Sequence, residues 1–375
     1  MMVMLKKWSD VLTIVSGKNQ KSVADPNGRY PIYGSGGVIG YAGSYLCEAG
    51  TTIVGRKGTI NNPIFVNKPF WNVDTAFGIS PGDELHPKYL YYFCCSFNFK
   101  ELDKSTTIPS LAKRDLLQIQ MPVPSLSEQE RIVSKIEELF SKLDASVAEL
   151  QTAKEKLKVY RQAVLKEAFR NVGKKVFLKS LFCGTPQNGV YKPKSAYGKG
   201  TRILRIDGFY DGFVTSEYEY KRLSLSEEEI EKYSLNQFDL VINRVNSMPY
   251  LGKCALIRHI PETTVFESNI MRVRLNPDVV SPEYVTYFLA SDEGKRELTK
   301  NAKQAVNQAS INQMDVGNAL IPIPGDIVLQ EQIVSVIERY LSVCASIEQS
   351  IDISLQQAEA LRQSILKQAF EGRLV

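Results

Sequence analysis

Three charged residues, Asp278, Glu293 and Lys295, have the types and loose spacing of a metal-dependent nuclease site. That chemistry requires the three side chains to converge from a pair of strands, where they hold Mg²⁺ and an attacking water. The intervening segment PEYVTYFLASDEGKREL has helical spacing and follows a Ser-Pro helix start, so Glu293 and Lys295 should point to different faces of one helix. The pattern disfavours the nuclease hypothesis, which we keep as an alternative.

Other motifs for catalysis and metal binding are absent from the sequence. YGKGTR at 197–202 has the letters of a phosphate-binding loop in the wrong order, and NNPIF at 61–65 has Ile64 where an adenine methyltransferase loop has its second proline. The six cysteines lack CxxC spacing, and the two histidines each lie near a proline. We expect no catalytic residues, no metal site and no cofactor bound by this chain.

Composition places the chain among globular proteins with more than one domain. It has 375 residues, of which 43% are hydrophobic and 23% are charged. Its apolar runs are shorter than the ~18 residues that a membrane span requires, and the first residues lack a signal-peptide pattern, so we expect a cytoplasmic protein without membrane contact. The net charge of +5 fits a nucleic-acid partner but does not require one.

A long segment of the chain occurs twice, at an offset of 201 residues. RQAVLKEAF at 161–169 returns as RQSILKQAF at 362–370, and QERIVSKIEELFS at 129–141 returns as QEQIVSVIERYLS at 330–342. Apolar residues recur at every seventh position of both copies, which predicts coiled-coil packing. The predicted seam consists of Ile136, Leu143, Leu150, Leu157, Val164, Ile337, Cys344, Ile351, Ala358 and Ile365. In the second copy a neighbouring seam is predicted at Ile333, Tyr340, Ile347 and Leu361.

The regions before the two helices repeat more faintly. PKYLYYF at 87–93 matches PEYVTYF at 282–288, and TIVGRKG at 52–58 matches LVINRVN at 240–246, which pairs Arg56 with Arg244. We predict an α+β protein in which two mixed α/β domains are separated by two long antiparallel coiled-coil helices, in a pseudo-twofold circular arrangement. The predicted boundaries are 1–124 and 173–324 for the domains, and 125–172 and 325–375 for the helices. Duplex DNA offers two half-sites to a protein of this symmetry.

The order and duplication of these phrases resemble the specificity subunits of type I restriction-modification systems, over nearly the whole chain. The stretches GRYPIYGSGGVIGY at 28–41 and STTIPSLAKRDL at 105–116 are also similar to the first half of that family. The resemblance implies a non-catalytic subunit whose two target-recognition domains each read one half of a bipartite DNA site, with the helices as a ruler between them. It also implies partners: two modification subunits that methylate adenine at N6 with S-adenosylmethionine, and restriction/translocase subunits that cleave with ATP and Mg²⁺.

Candidate DNA contacts lie on polar or glycine-rich segments next to strand-like runs. Lysine and arginine suit phosphates, whereas arginine, asparagine, glutamine and serine also suit base edges. Each segment also has a plain structural interpretation, namely a tight turn, a solvated strand end or a surface loop. The predicted DNA-binding residues are Tyr33, Ser35, Gly36, Arg56, Lys57, Thr106, Thr107, Lys113, Lys199, Arg202, Arg205, Arg244, Asn246, Gln304, Asn307 and Gln308.

A third hypothesis is a coiled-coil scaffold without a nucleic-acid role. Salt dependence separates it from the specificity-subunit hypothesis, because binding that neutralises several phosphates weakens steeply as salt increases. The sequence leaves open the two half-sites and the length of the spacer.

Overall fold

The computed structural model describes residues 4–215 and 218–375. The chain divides into two compact units. The first unit consists of Met1–Thr152 and Ile351–Val375, and the second consists of Ala153–Ser350. Each of the two long helices contributes residues to both units, and the first unit is therefore built from two separate segments of the sequence.

The first unit contains a small mixed α/β domain. Its strands are β1 (Leu5–Lys7), β2 (Leu12–Ser16), β3 (Tyr30–Gly34), β4 (Gly37–Ala42), β5 (Thr51–Gly55), β6 (Ile64–Val66), β7 (Trp71–Asn72), β8 (Ala76–Pro81) and β9 (Gln120–Pro122). Its helices are α1 (Trp8–Val11), α2 (Pro87–Ser96), α3 (Lys113–Leu116) and the first part of α4 (Leu126–Ala168).

The principal sheet of this unit is antiparallel, with the order β2-β8-β5-β6. Strand β5 has the sequence TTIVG and is buried along its whole length, as suits a run of β-branched residues in an inner position. In a smaller sheet, β4-β3-β7, strand β3 pairs with β7 in parallel. Strand β1 pairs with β9, which brings the N-terminal strand beside the segment that enters α4.

The second unit repeats this architecture with additions. Its strands are β10 (Lys174–Phe177), β11 (Gln187–Asn188), β12 (Tyr197–Leu204), β13 (Phe209–Tyr210), β14 (Phe213–Val214), β15 (Lys221–Leu223), β16 (Leu240–Asn243), β17 (Val245–Asn246), β18 (Cys254–Leu256), β19 (Thr264–Phe266), β20 (Ile270–Val273), β21 (Lys303–Ala305), β22 (Gln308–Ser310) and β23 (Leu320–Ile323). Its helices are α5 (Glu227–Tyr233), α6 (Pro282–Ala290), α7 (Asp292–Thr299), α8 (Gln313–Gly317) and the first part of α9 (Ile327–Phe370).

The sheets of the two units have matching strand orders. The antiparallel sheet β11-β20-β16-β18 corresponds to β2-β8-β5-β6, and the pair β10–β23 corresponds to β1–β9. The sheet β15-β12-β19 corresponds to β4-β3-β7, including its parallel pair, but the small hairpin β13–β14 lies between β12 and β15 in the chain. The duplication therefore extends from the helices to the topology of both domains.

In the first unit, the end of α9 completes the core of the N-terminal domain. Ile365 and Leu366 belong to the same buried cluster as Trp8 and Ile136. The aromatic ring of Phe370 packs against Tyr89 and Phe93 of α2, with ring centroids 5.1 and 5.3 Å away. The domain formed by the start of the chain is thus closed by residues from its end.

In the second unit, the end of α4 has the equivalent role. Leu165 and Phe169 join the core that contains Ile337 of α9. The Phe169 ring packs edge-on against Tyr284 and Phe288 of α6, at 5.2 and 5.3 Å. RQAVLKEAF thus completes the core of the second unit, and RQSILKQAF completes the core of the first unit. The phrase occurs twice because each domain requires one copy of it.

The α4 and α9 helices run antiparallel within each unit. In the first unit Arg362 pairs with Asp144, whereas Val375 lies in a cleft beside Ser127. In the second unit Arg161 pairs with Glu348 at 2.6 Å.

Polar side chains join each domain to the helix that follows it. The buried Gln129 of α4 accepts a hydrogen bond from the backbone nitrogen of His86 at 2.8 Å, and the buried Gln330 of α9 accepts one from Ser281 at 2.9 Å. Both contacts lie just before a proline that starts α2 or α6, a position where proline fits a helix well. The two glutamines fix the angle at which each helix leaves its domain.

The structure buries or half-buries every residue of the predicted principal seam. Ile136 and Ile337 are fully buried, whereas the members near the middle of α4 are half-buried. The prediction of a neighbouring seam on α9 is wrong for Tyr340, Ile347 and Leu361, which are 39%, 44% and 51% exposed. An antiparallel pair covers one stripe of each helix, so an apolar stripe beside it faces solvent.

Candidate nucleic-acid interface

The loop after β5 is held between two other segments of the first unit. The backbone nitrogens of Arg56 and Lys57 donate to the carbonyl of Thr75 at 2.8 and 3.2 Å, and the Gly58 nitrogen donates to Pro109 at 2.9 Å. The backbone nitrogen of Leu111 in turn donates to the Arg56 carbonyl at 2.8 Å. The loop and the 103–111 segment therefore lie side by side.

A hairpin turn reaches the same place. Ser35 and Gly36 form the two-residue connection between β3 and β4, and Gly37 has a φ of +126°, which favours glycine there. The Ser35 hydroxyl lies 3.8 Å from the position that a Cβ atom on Gly58 would take. The β3–β4 turn, the loop after β5 and the 103–111 segment, which the sequence analysis predicted separately as DNA contacts, thus meet at one end of the domain.

A carboxylate organises the third segment. Asp103 accepts hydrogen bonds from the backbone nitrogens of Ser105 and Ser110, both at 3.0 Å, and from the Ser105 hydroxyl at 2.6 Å. These bonds, led by the Ser105 hydroxyl, lower the pKa of the Asp103 carboxyl. The turn that they define leaves Thr106 and Thr107 exposed.

The remaining predicted residues of this unit are engaged within the fold. Tyr33 packs edge-on against Phe70 at 5.4 Å, and partial burial raises its pKa. The Lys113 ammonium donates to the carbonyl of Ile14 at 2.7 Å, and Arg56 lies over an aromatic ring. Half-buried Ser35 and exposed Gly36, Lys57, Thr106 and Thr107 are consequently better placed for a partner than these three.

In the second unit, Arg244 has the same backbone setting as Arg56. It follows β16, the counterpart of β5, and its carbonyl accepts from the Ile311 nitrogen at 2.9 Å, as the Arg56 carbonyl accepts from Leu111. Its guanidinium donates through Nη1 to Ser268 at 3.1 Å, while the buried Nε has no partner among the described residues. Burial lowers the pKa of this arginine.

A small ribbon extends from this arginine. Strands β17, β22 and β21 pair in that order, and Asn246 lies opposite Ala309. The β21–β22 turn places Asn307 at a φ of +63°, which asparagine tolerates well. Gln304, Asn307 and Gln308 are exposed, so the structure brings the residues predicted around Arg244 and around Gln304 into one sheet.

The predicted basic residues in and just after β12 differ in whether other side chains of the fold already engage them. Arg202 stacks on Tyr220 at 3.8 Å and is 4.0 Å from Glu262, and Arg205 pairs with Glu267 at 3.2 Å. Lys199 is exposed at an irregular point of the strand. Glu267, the partner of Arg205, is the residue before Ser268, whose carbonyl accepts a hydrogen bond from Arg244, so Arg205 lies near Arg244. Arg202 contacts a different part of the unit.

Sequence reasoning missed Lys253 and the aromatic rings around it. The Lys253 ammonium lies 3.8, 5.2 and 6.0 Å from the ring centroids of Tyr210, Phe209 and Tyr250. Burial lowers its pKa to about 8. Phe209 and Tyr210 are adjacent in β13, but Tyr250 and Lys253 lie much further along the chain, so no local pattern signalled the cluster.

Comparison with known proteins agrees with this geometry. Residues 3–155 match the family model described as "Type I restriction modification DNA specificity domain". The resemblance to type I specificity subunits is confirmed. The chain is 29% identical over 272 residues to the type I restriction enzyme EcoKI specificity subunit of Escherichia coli K12, a match that covers 68% of this chain and 58% of that subunit. It is 26% identical over 344 residues to the StySPI specificity subunit of Salmonella potsdam, covering 85% and 73%.

Solved structures support the fold. A chain from work on the complex assembly and conformational transition of the type I R-M system superposes with a TM-score of 0.74 at 18% identity, covering 99% of this chain and 98% of that one. The HsdS subunit from Thermoanaerobacter tengcongensis gives 0.51 at 18% identity, covering 99% and 97%. The α+β fold class predicted from the sequence is confirmed.

The residues of the nuclease hypothesis do not converge in the structure. Glu293 pairs with Lys175 at 3.0 Å, whereas the Lys295 ammonium donates to the carbonyl of Pro249. Glu293 and Lys295 lie on one helix, α7, as expected, but the segment from Pro282 onward is not a single helix, because Ser291 both ends α6 and caps α7. Within residues 4–215 and 218–375 no group of three or more His, Cys, Asp or Glu side chains is arranged to hold a metal ion. In those same residues no helix is both long and apolar enough to cross a membrane.

Each unit also has a cleft where α4 and α9 meet the domain. In the second unit a cavity of about 640 Å³ is lined by Arg161 and Ser342 of the helices and by Tyr287 of α6. The cleft in the first unit, about 680 Å³, has Arg362, Ser141 and Tyr92 in the matching places. In both, the tyrosine hydroxyl donates to a helix glutamate, at 3.4 Å in the first unit and 3.2 Å in the second.

Proposed function

We propose that this chain is the non-catalytic DNA specificity subunit of a type I restriction-modification complex. Each unit reads one half of a bipartite DNA site. The paired helices set the spacing between the two halves. Modification subunits then methylate adenine at N6 with S-adenosylmethionine, and restriction/translocase subunits cleave with ATP and Mg²⁺, so this chain itself binds none of these cofactors.

One observation carries the proposal most strongly. An arginine after an inner strand, bonded through its carbonyl to a polar segment, occurs once in each unit, at Arg56 and at Arg244. Each is joined to exposed polar side chains, among them Lys57 in one unit and Gln308 in the other. A bipartite site requires two such surfaces with similar frames. It also requires different side chains on them, because the half-sites differ.

The helices are suited to setting a fixed spacing because both are unbroken: α4 has 43 residues and α9 has 44. At about 1.5 Å per residue, each helix is about 65 Å long. The antiparallel pairing in each unit makes the spacing depend on both helices, so inserting a whole heptad in one of them should disturb the seam.

The two equivalent clefts suit docking of two modification subunits, one at each unit. Each cleft combines aromatic rings with charged side chains, a composition common at protein interfaces. Ser141 and Ser342 occupy matching exposed positions at their rims. A tryptophan at either position should block one subunit only, so Ser141→Trp and Ser342→Trp should each reduce the assembly from two modification subunits to one in native mass spectrometry. Ser146→Trp, on an exposed part of α4 outside the cleft, is the matched control.

The decisive experiment is long-read sequencing that detects N6-methyladenine in the source strain with the gene intact and deleted. The proposal predicts loss of one bipartite motif, with two short half-sites around a fixed spacer. Complementation with Lys57→Ala should weaken methylation at that motif, whereas Arg114→Ala, an exposed cation on α3, should not.

An unchanged methylome would contradict the proposal, provided that the modification subunits are expressed. Loss of only one half of a motif would contradict the two-domain ruler. The purified complex would then be tested for the other two hypotheses: metal-dependent nicking that disappears in Asp278→Ala for the nuclease, and absence of salt-dependent DNA binding for the scaffold.

A further inference from the structure

Aliphatic side chains are exposed at the end of the first unit where the three segments meet. Val38 and Ile39 of β4 are 51% and 59% exposed, and Ile108 of the 103–110 segment is 62% exposed. Single exposed aliphatic residues are common on protein surfaces. A group of them at one end of a domain, bordered by polar residues, more often marks an interaction site.

The backbone places these side chains together. Gly58 contacts the hairpin turn through Ser35 and the 103–110 segment through its hydrogen bond to Pro109, the residue after Ile108. The Ile39 side chain lies 3.7 Å from the position that a Cβ atom on Gly34 would take, so it lies against the end of the hairpin. The aliphatic group therefore surrounds the same loop that carries Lys57.

The charge at this end suits a polyanion. The Lys57 side chain is exposed and has no acidic partner within 4.0 Å in the part of the chain that the structure describes. A surface that combines an unpaired cation with aliphatic groups fits a partner that offers both phosphates and apolar points. In duplex DNA the apolar group on the floor of the major groove is the C5-methyl group of thymine.

The second unit has an exposed aliphatic residue on the equivalent segment. Val306, at the β21–β22 turn, is 91% exposed. Val306 and Ile108 are not at matching positions, since Val306 lies further from Ile311, which bonds to Arg244, than Ile108 lies from Leu111, which bonds to Arg56. The side chains differ in the two units, but each presents an aliphatic group beside its arginine loop.

The shape of these segments favours the major groove. Strands β3 and β4 form an antiparallel hairpin with a two-residue turn at one side of the sheet β4-β3-β7, and β21 and β22 form another at one side of the sheet β17-β22-β21. The major groove is about 12 Å wide and admits a two-stranded ribbon, whereas the minor groove is about half as wide.

We infer that Val38, Ile39 and Ile108 recognise thymine by contact with its C5-methyl group in one half-site, and that Val306 does so in the other. This rests on the proposed function, since it specifies how the two units discriminate bases. The inference predicts that each half-site contains at least one thymine whose methyl group contributes to binding.

The test uses the complex of this chain with its modification subunits and the duplex found by methylation mapping. Each thymine of the half-sites is replaced in turn by deoxyuridine, which removes only the methyl group and preserves pairing. Binding should weaken about fourfold for each contacted methyl, the ratio that corresponds to about 0.8 kcal/mol per buried methylene-sized group.

Variants then assign the contacts. Val38→Thr keeps the side-chain volume and replaces a methyl group with a hydroxyl, whereas Ile108→Thr replaces an ethyl group with a hydroxyl and makes the side chain smaller. In these variants the thymine duplex should bind about fourfold more weakly. The deoxyuridine exchange should then have no further effect at the contacted position. Val306→Thr should change the response of the other half-site, and Val328→Thr, on a similarly exposed valine of α9, should change neither.

Two outcomes would overturn the inference. In one, no deoxyuridine exchange in either half-site changes binding. In the other, the penalty persists unchanged in the threonine variants. Both presuppose sequence-specific binding by the wild-type complex, so they leave the proposed function intact. If the wild-type complex bound all duplexes equally, the proposed function itself would fail, and this inference with it.

Discussion

A substitution near the end of the chain should destabilise the domain at its beginning. Leu366 of α9 is 1% exposed and belongs to the core of the first unit together with Trp8 and Leu90. Replacing a buried leucine with alanine costs about 2–5 kcal/mol. For a side chain this completely enclosed we expect about 3 kcal/mol for Leu366→Ala. The loss should be felt in α2, although that helix lies far from residue 366 in the sequence.

Hydrogen exchange followed by mass spectrometry measures this effect locally. A loss of 3 kcal/mol corresponds to exchange about 150 times faster in segments that open with the core. We expect the increase in α2 and in β8, with α6 unchanged. The matched variant is Leu165→Ala, which should accelerate exchange in α6 and leave α2 unchanged, because Leu165 belongs to the core of the second unit.

The reasoning would be refuted by the opposite pattern. If Leu366→Ala loosened α6, or if its effect stayed within α9, then the end of the chain would not complete the first unit. Faster exchange in both domains by similar factors would mean that the two units unfold as one, and the crossed effects of the two leucines would disappear.

Three further outcomes can be measured. Lys57→Ala should weaken DNA binding by the complex and reduce the slope of log affinity against log salt by about one, because one phosphate contact is lost, while Arg114→Ala should leave the slope unchanged. Burial lowers the pKa of Lys253 to about 8, so between that pH and about 10.5 the unfolded chain holds a proton that the folded chain has released. The free energy of unfolding should therefore rise with pH in that window, by roughly 1 kcal/mol. Denaturation measured as a function of pH should show this rise in the wild type and not in Lys253→Met. Tyr284→Phe should cost about 1–2 kcal/mol in denaturant unfolding, because it leaves the buried carbonyl of Pro322 without the hydroxyl that donates to it at 2.6 Å.

The sequence predicted those features that recur with a fixed spacing. The seven-residue interval identified the buried stripes of α4 and α9, and the match of TIVGRKG with LVINRVN paired Arg56 with Arg244 before their common backbone hydrogen bond was known. Both predictions depend on periodicity or on repetition, which are visible in one dimension.

Features that depend on which side chain meets which partner were missed. Arg202 was predicted, together with Lys199, to bind DNA, yet its guanidinium is stacked on Tyr220 beside Glu262. The aromatic group around Lys253 combines Phe209 and Tyr210 of β13 with Tyr250 from a later part of the chain, so no single stretch of sequence contains it. Ser291 interrupts the expected helix because its hydroxyl accepts a hydrogen bond from the Gly294 nitrogen and so caps the start of α7. Helical spacing alone does not reveal this cap.

The use of α9 to complete the first unit has a consequence for synthesis of the chain. The residues that close this core, from Ile365 to Phe370, leave the ribosome about 240 residues after Met121, the last residue of the core before α4 begins. At about 5–20 residues per second, the delay is about 12 to 50 s. Throughout that time the nascent domain exposes the surface formed by Tyr89 and Phe93, which Phe370 later covers. The domain that is translated first is thus the last to be finished, and the nascent chain has to remain soluble with that apolar surface uncovered.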